Sequence, residues 1–242
     1  MRICVAQTRL VKGDIAANIV QHKKLIHLAV DYKADVIVFP ELSVTGYEPN
    51  LAKDLAMDAS DTRLDSLQQL ADLNAITIGA GIPMKCAGGI SITLVLFQPN
   101  APRQTYSKKY LHADEDPFFV SGENDSTRIK GTGIELAICY EISVPQHAVN
   151  AAKNGGTVYL ASVAKSAKGV EMAHKTLAEI ATKYGMTALM ANSVGPSDDF
   201  VGAGGSAIWD SKGKLVGQLD SDCQGLLIVD TETLEVEAKE FY

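Results

Sequence analysis

Three side chains able to act together stand just beyond segments that read as strands. Glu41 follows the run 35–40 (DVIVFP), Lys108 and Lys109 follow the segment 103–107, and Cys139 follows 134–138 (IELAI). A thiol with a pKa of about 8.5 is a poor nucleophile at neutral pH until a base takes its proton or a positive charge stabilises the thiolate. Glu41 is suited to be that base. Lys108 is suited to hold the negative charge that develops on a carbonyl oxygen, helped by the backbone N–H that follows the cysteine. A charge at the end of a buried strand costs free energy to desolvate unless it is paired, and a carboxylate, an ammonium and a thiol in one cleft offset one another's cost. Taken singly, each has a plainer reading: Glu41 as a turn or helix cap, Lys108 as a surface base, Cys139 as a core thiol.

The elements that must position these groups can be read from periodicity. Ile134, Leu136 and Ile138 predict a buried strand, and Pro145 predicts the first residue of the helix that follows, so Cys139 falls at the carboxyl end of a strand, where ligands collect in open α/β sheets. Ile3 and Val5 open the chain as a strand, and Asp14 caps a predicted amphipathic helix over 15–33. His22 and His27 on that helix read as solvated or partly buried surface residues. Residues 35–40 predict a strand buried on both faces. A second helix is expected over 61–74, then a strand over 75–82 whose small residues imply close approach of another element. Residues 90–97 and 103–108 predict an antiparallel pair. Beyond Cys139 the pattern predicts a helix at 146–153, a strand at 157–162, a helix at 171–184 stopped by Gly185, and strands at 186–191, 206–209, 214–219 and 225–230. The glycine-rich stretch 202–205 has no lysine and runs into a strand, so it predicts a tight backbone approach rather than a phosphate cradle. Strands alternating with helices define an α/β protein, and 1–242 is expected to form a single domain.

With 46% hydrophobic and 21% charged residues in 242, the chain is an ordinary globular sequence. Its 29 acids against 22 bases give a net charge of −7, which argues against nucleic acid or an anionic membrane as partner and for a small molecule. Cys4, Cys86, Cys139 and Cys223 are scattered, without metal-ligand spacing, and no apolar run is long enough to span a bilayer. A reducing, cytoplasmic setting is expected, with no metal and no organic cofactor.

The local sequence around the three groups adds a family resemblance. Residues 39–47 (FPELSVTGY), 106–111 (YSKKYL), and Ile138-Cys139-Tyr140-Glu141 with Pro145 resemble, in order, the acid, lysine and nucleophile signatures of the nitrilase superfamily of carbon–nitrogen hydrolases. The likeness extends through Ala6-Gln7, Asn192 with Gly195, and Gly204-Gly205-Ser206. The lysine signature selects Lys108 over Lys109, and a second family glutamate matches Glu115, with Asp116 as its neighbouring rival. The resemblance implies a four-layer α-β-β-α sandwich in which Glu41, Lys108 and Cys139 converge, commonly paired as a homodimer. It also implies hydrolysis of a small amide or N-carbamoyl compound through a cysteine thioester, with Glu115 positioning Lys108 and with Tyr47, Tyr140 and Asn192 at the substrate. Tyr110 stands where the family usually has histidine, and 161–164 (ASVA) lacks an aromatic common in other members. Tyr140, where nitrile-cleaving members tend to carry tryptophan, favours amide chemistry. The alternatives are a nitrilase, a silent binding protein of the same fold, or a Cys-His hydrolase using His112, His147 or His174.

Overall fold

The computed structural model describes residues 1–123 and 126–241. In chain order its strands are β1 (Arg2–Arg9), β2 (Val36–Val38), β3 (Thr77–Cys86), β4 (Gly89–Phe97), β5 (Gln104–Ser107), β6 (Ile134–Ile138), β7 (Val158–Ser162), β8 (Thr187–Ala191), β9 (Ser193–Ser197), β10 (Phe200–Ala203), β11 (Ala207–Trp209), β12 (Leu215–Gln218), β13 (Gln224–Asp230) and β14 (Val236–Phe241). The α-helices are α1 (Ile15–Asp31), α2 (Ala52–Leu55), α3 (Asp65–Asn74), α4 (Pro145–Lys153) and α5 (Ala167–Tyr184).

Among the described residues the strands form two sheets. In the first, β1, β2 and β3 run parallel and β4 and β5 extend them antiparallel. On the other side of β1, β13 pairs along Arg2–Gln7 and carries β14, while β9 takes over in parallel at Thr8 and Arg9 and carries β10. In the second sheet β6, β7 and β8 are parallel, with β11 and β12 antiparallel beyond β8.

Alternation along the strands makes the layers. Ile3, Val5, Val36 and Val38 point one way and meet Ile134, Leu136, Ile138 and Leu160 of the second sheet, forming the core between the sheets. Their neighbours Cys4, Ala6 and Ile37 point the other way, onto Ile15, Ile19 and Ile26 of α1 and Leu67 and Ala71 of α3. On the second sheet Ala137, Tyr159 and Ala161 pack on Ala148 of α4 and Ala173 and Leu177 of α5. The result is the expected four-layer α-β-β-α sandwich. Each fully buried Ile or Leu contributes about 1.5–3 kcal/mol relative to exposure.

Most expected elements are present, with instructive exceptions. Asp14 caps α1, its Oδ1 accepting from Ala17 N–H at 2.9 Å. Helix α5 opens at Ala167, four residues before the expected 171, its first turn hidden in the sequence by Gly169, a weak helix former. Strands β9 and β10 are not among the expected elements: Gly195 and Pro196 are poor strand formers, yet Pro196 is tolerated on a short ladder beside Val201. Strand β14 was hidden by its charged residues, which suit an exposed sheet edge. No helix among the described residues is long and apolar enough to cross a membrane.

Candidate active site

Glu41 lies three residues beyond β2, in a tight turn bounded by Pro40 and closed by Thr45 N–H donating to Leu42 O at 3.0 Å. The turn lies against β3 at Gly81, where a Cβ would stand 2.4 Å from Leu42 N, so only glycine permits the contact. This is the close approach anticipated for 75–82. Behind the turn His22 of α1 is fully buried rather than a surface residue, because α1 covers the segment and Phe39 stacks on the imidazole at 4.0 Å between ring centroids. His22 Nδ1 donates to Asn18 O at 2.7 Å and Nε2 accepts from Ser43 Oγ at 2.9 Å, while Ser43 Oγ accepts from Gly81 N–H at 3.2 Å. Burial lowers the His22 pKa to about 4, so this support is a neutral ring.

Lys108 directly follows β5. Its backbone is pinned by N–H donation to Ile92 O and by acceptance from Gly122 N–H, both 2.7 Å. Its Nζ donates to Glu41 Oε1 at 2.8 Å and to Glu115 Oε1 at 2.6 Å, and all three side chains are buried. Glu115 in turn accepts from Tyr47 Oη at 3.0 Å and from His112 N–H at 2.8 Å. The sequence rivals of these groups, Lys109 and Asp116, are exposed. Two carboxylates around one ammonium cannot both be neutralised. Burial pushes Glu41 up to about 7, with Lys108 pulling it down and Glu115 pushing it further up. Burial also pulls Lys108 down, but the charges of Glu41, of Cys139 in its thiolate form and of Glu115 outweigh it and hold the ammonium above its ordinary value. Glu41 Oε2 is buried with no hydrogen-bond partner among the described residues, which leaves it open to take a proton.

Cys139 begins a 3-10 turn, Cys139–Ser143, at the end of β6, with φ +43°, a left-handed conformation that is strained for a residue with a Cβ. The first N–H groups of such a turn have no partner within it, and that of Tyr140 follows the thiol directly. Burial first, then the charge of Glu41, raises the thiol pKa, against the opposing pull of Lys165 and Lys108. The resting group is therefore a thiol awaiting a base.

The elbow is tied to the lysine segment by Glu141, whose role the sequence did not disclose. Its Oε2 accepts from Ile138 N–H at 2.8 Å and Tyr106 Oη at 2.6 Å, and its Oε1 accepts from Lys109 N–H at 2.7 Å. One buried carboxylate thus binds the residues before Cys139 and after Lys108. His147 completes this network, with Nε2 2.9 Å from Tyr106 Oη and Nδ1 2.8 Å from Tyr159 Oη. Both ring nitrogens are occupied, and His147 does not line the cleft that holds Cys139. Glu141→Gln places an amide N–H₂ against backbone donors and is expected to lower unfolding free energy by about 1–3 kcal/mol, measured by urea denaturation.

A cleft of about 420 Å³ opens over Cys139 and Glu115, walled by Tyr47, Phe118, Tyr140 and Phe200. Tyr47 and Tyr140, expected at the substrate, are in this wall. Asn192 is not: its Nδ2 donates to Gly204 O at 2.8 Å and Lys165 O at 3.1 Å, so its amide is spent on backbone. Lys165 and Phe200 also line the cleft and were not read from sequence; the departure from the family pattern at 161–164, whose Ala164 lines the cleft, was the nearest signal.

The family model for carbon-nitrogen hydrolases matches residues 2–238, so the chain belongs to that family. It is a carbon–nitrogen hydrolase, with amide hydrolysis the activity its relatives fit. An (R)-stereoselective amidase of Pseudomonas sp. is 26% identical over 226 residues, covering 92% of this chain and 82% of that protein. A glutamine-dependent NAD(+) synthetase of Xylella fastidiosa is 26% identical over 227 residues, 89% of this chain but 41% of the synthetase. Among solved structures, a mutant of the amidase from Nesterenkonia sp. AN1 with the acetamide moiety of fluoroacetamide added covalently at its active-site cysteine has a TM-score of 0.86 at 25% identity, covering 95% of this chain and 90% of that one.

Proposed function

We propose that this enzyme hydrolyses small amides through a thioester on Cys139, with Glu41 as general base and acid, Lys108 as oxyanion donor and Glu115 as the group that positions Lys108. The observation that carries the reading is the buried Glu41–Lys108–Glu115 chain, with contacts of 2.8 and 2.6 Å, set behind a strained cysteine at a strand end. Glu41 takes the thiol proton as Cys139 Sγ bonds to the amide carbon. The Lys108 ammonium and the Tyr140 N–H stabilise the resulting oxyanion. Glu41 returns the proton to the nitrogen, the C–N bond breaks, and ammonia or an amine leaves with the acyl group on sulfur. Glu41 then deprotonates a water that attacks the thioester, releasing the acid and restoring the thiol. Covalent addition at the active-site cysteine of the Nesterenkonia amidase supports the role of Cys139 as the nucleophile.

This chemistry calls for no metal or organic cofactor. The setting we propose is the cytoplasm, supported by four cysteines that form no disulfide, and the assembly a homodimer, supported by the family resemblance.

Glu41 must be ionised to accept the thiol proton. With its pKa at about 7, kcat/KM for ammonia release is expected to fall about tenfold per pH unit below neutrality and to level off above it. Ammonia release from a panel of short amides between pH 5 and 9 checks this. A flat profile over the acid range, or turnover of nitriles alone, would overturn the assignment.

A further inference from the structure

The cleft contains a second cation for which the proposed mechanism has no use. Lys165 lines it with Cys139 and is held there by three features. The buried Asn192 clamps its backbone from both sides, Oδ1 accepting Lys165 N–H at 2.9 Å and Nδ2 donating to Lys165 O at 3.1 Å, and Ala203 N–H donates to the same carbonyl at 3.0 Å. The stem lies over Gly169, where a Cβ would stand 3.2, 3.5 and 3.7 Å from Lys165 Cβ, Cγ and Cδ, so the missing side chain leaves the stem its space. The head is in no ion pair among the described residues, in contrast to Lys108, which is in two. Of the acids that share the cleft, Glu115 is paired with Lys108, Asp114 is paired with His112 and Asp198 accepts from Asn50 Nδ2, while Asp199 forms no ion pair with Lys165.

An ammonium fixed in a concave, aromatic-walled site and left unpaired attracts an anion, and entry of a ligand strengthens the attraction by displacing water. The oxyanion is already served by Lys108. We infer that Lys165 is the specificity determinant for amides whose acyl portion carries a carboxylate, the amide carbon lying at Cys139 and the carboxylate at the Lys165 ammonium. This rests on the amidase reading and names its substrate class. Neutral amides fit the same cleft but leave the ammonium without a partner.

A matched pair of nearly equal size separates the charge from the shape: succinamate, with a carboxylate, and butyramide, with a methyl group in its place. Ammonia release is measured for the wild type, Lys165→Met and Lys165→Arg. The wild type is expected to favour succinamate in kcat/KM, and Lys165→Met to reduce that preference by about 10- to 100-fold, mainly through KM. Lys165→Arg keeps the charge and is expected to retain most of the preference. Equal losses on both amides would mean that Lys165 serves the Cys139 thiolate instead, and would overturn the inference, as would a wild type with no preference. A binding arm uses Cys139→Ala, with and without Lys165→Met, and calorimetric titration of both amides. Tighter binding of succinamate that disappears with Lys165→Met sustains the inference even where the wild type releases no ammonia from either amide, a result that sinks the amidase reading alone. Equal affinities for the two amides overturn the inference whatever the turnover.

Discussion

Cys139→Ala is expected to lower amide turnover by about ten-thousandfold or more while the protein stays folded. The two halves of this expectation have separate physical grounds. In the proposed mechanism the thiol forms the only covalent bond to substrate, so the variant keeps the oxyanion donors and the base but has nothing for them to assist. The fold, by contrast, owes little to Sγ, whose one hydrogen-bond contact among the described residues is a long 3.8 Å approach to Ala164 O. Alanine carries the same Cβ as cysteine, so the positive φ of +43° is neither relieved nor worsened. Ammonia release and a thermal melt on one preparation check both parts, and a variant that retains near-normal hydrolysis sinks the nucleophile assignment. Brief iodoacetamide treatment followed by mass spectrometry adds a second reading. Cys4 is fully buried and burial raises its thiol; burial likewise pushes Cys223 up to about 11, so neither should compete. Cys86 is exposed and requires a Cys86→Ser background. Labelling of Cys4 or Cys223 with Cys139 inert would count against an activated thiol.

What the sequence disclosed and what it hid divide along a physical line. Glu41 and Cys139 each follow a short apolar run, and Lys108 follows a segment paired by a turn with the apolar run 90–97, so their placement at strand ends needed little tertiary information. The choice of Glu115 over Asp116 did need it, because adjacent acids differ only in which one the turn buries. The roles that escaped notice act across long separations. Asn192 grips Lys165 from 27 residues away, and Glu141 reaches Tyr106 across 35. His22 was misread for the same reason, since its position on a helix says nothing of the turn at Ser43 that lies over it. Elements followed the same rule. The apolar strands β2 and β6 were visible, whereas β9, with Gly195 and Pro196, and β14, with its charged edge, are strands only because β1 and β13 offer them partners.

Lys108→Met is expected to eliminate activity, by about a thousandfold or more, and to destabilise the protein in a pH-dependent way. Removing the ammonium leaves Glu41 and Glu115 buried with no cation bound, the situation in which breaking a buried ion pair costs about 3–5 kcal/mol. The sign with pH follows from the carboxyl groups. Without Lys108 the folded-state pKa of Glu41 rises further above the unfolded value of about 4.3. Near pH 5 the folded protein holds Glu41 protonated at little cost; as pH rises the unfolded chain releases that proton first, and folding stability falls. The gap between variant and wild type should therefore be narrow at pH 5 and wide at pH 8. The wild type carries a weaker form of the same slope, because burial already sets Glu41 at about 7 with Lys108 in place. Urea unfolding of both proteins at the two pH values measures the difference, and an equal gap at both would show that Lys108 does not balance the two acids. Methionine fills much the same volume as the lysine stem, so the loss is electrostatic rather than a cavity. A buried set of one cation and two acids is a poor way to stabilise a core. Its value lies in Glu41, which burial holds near neutrality and Lys108 keeps from rising further, so that it can accept and return a proton at the pH where the thiol must be activated.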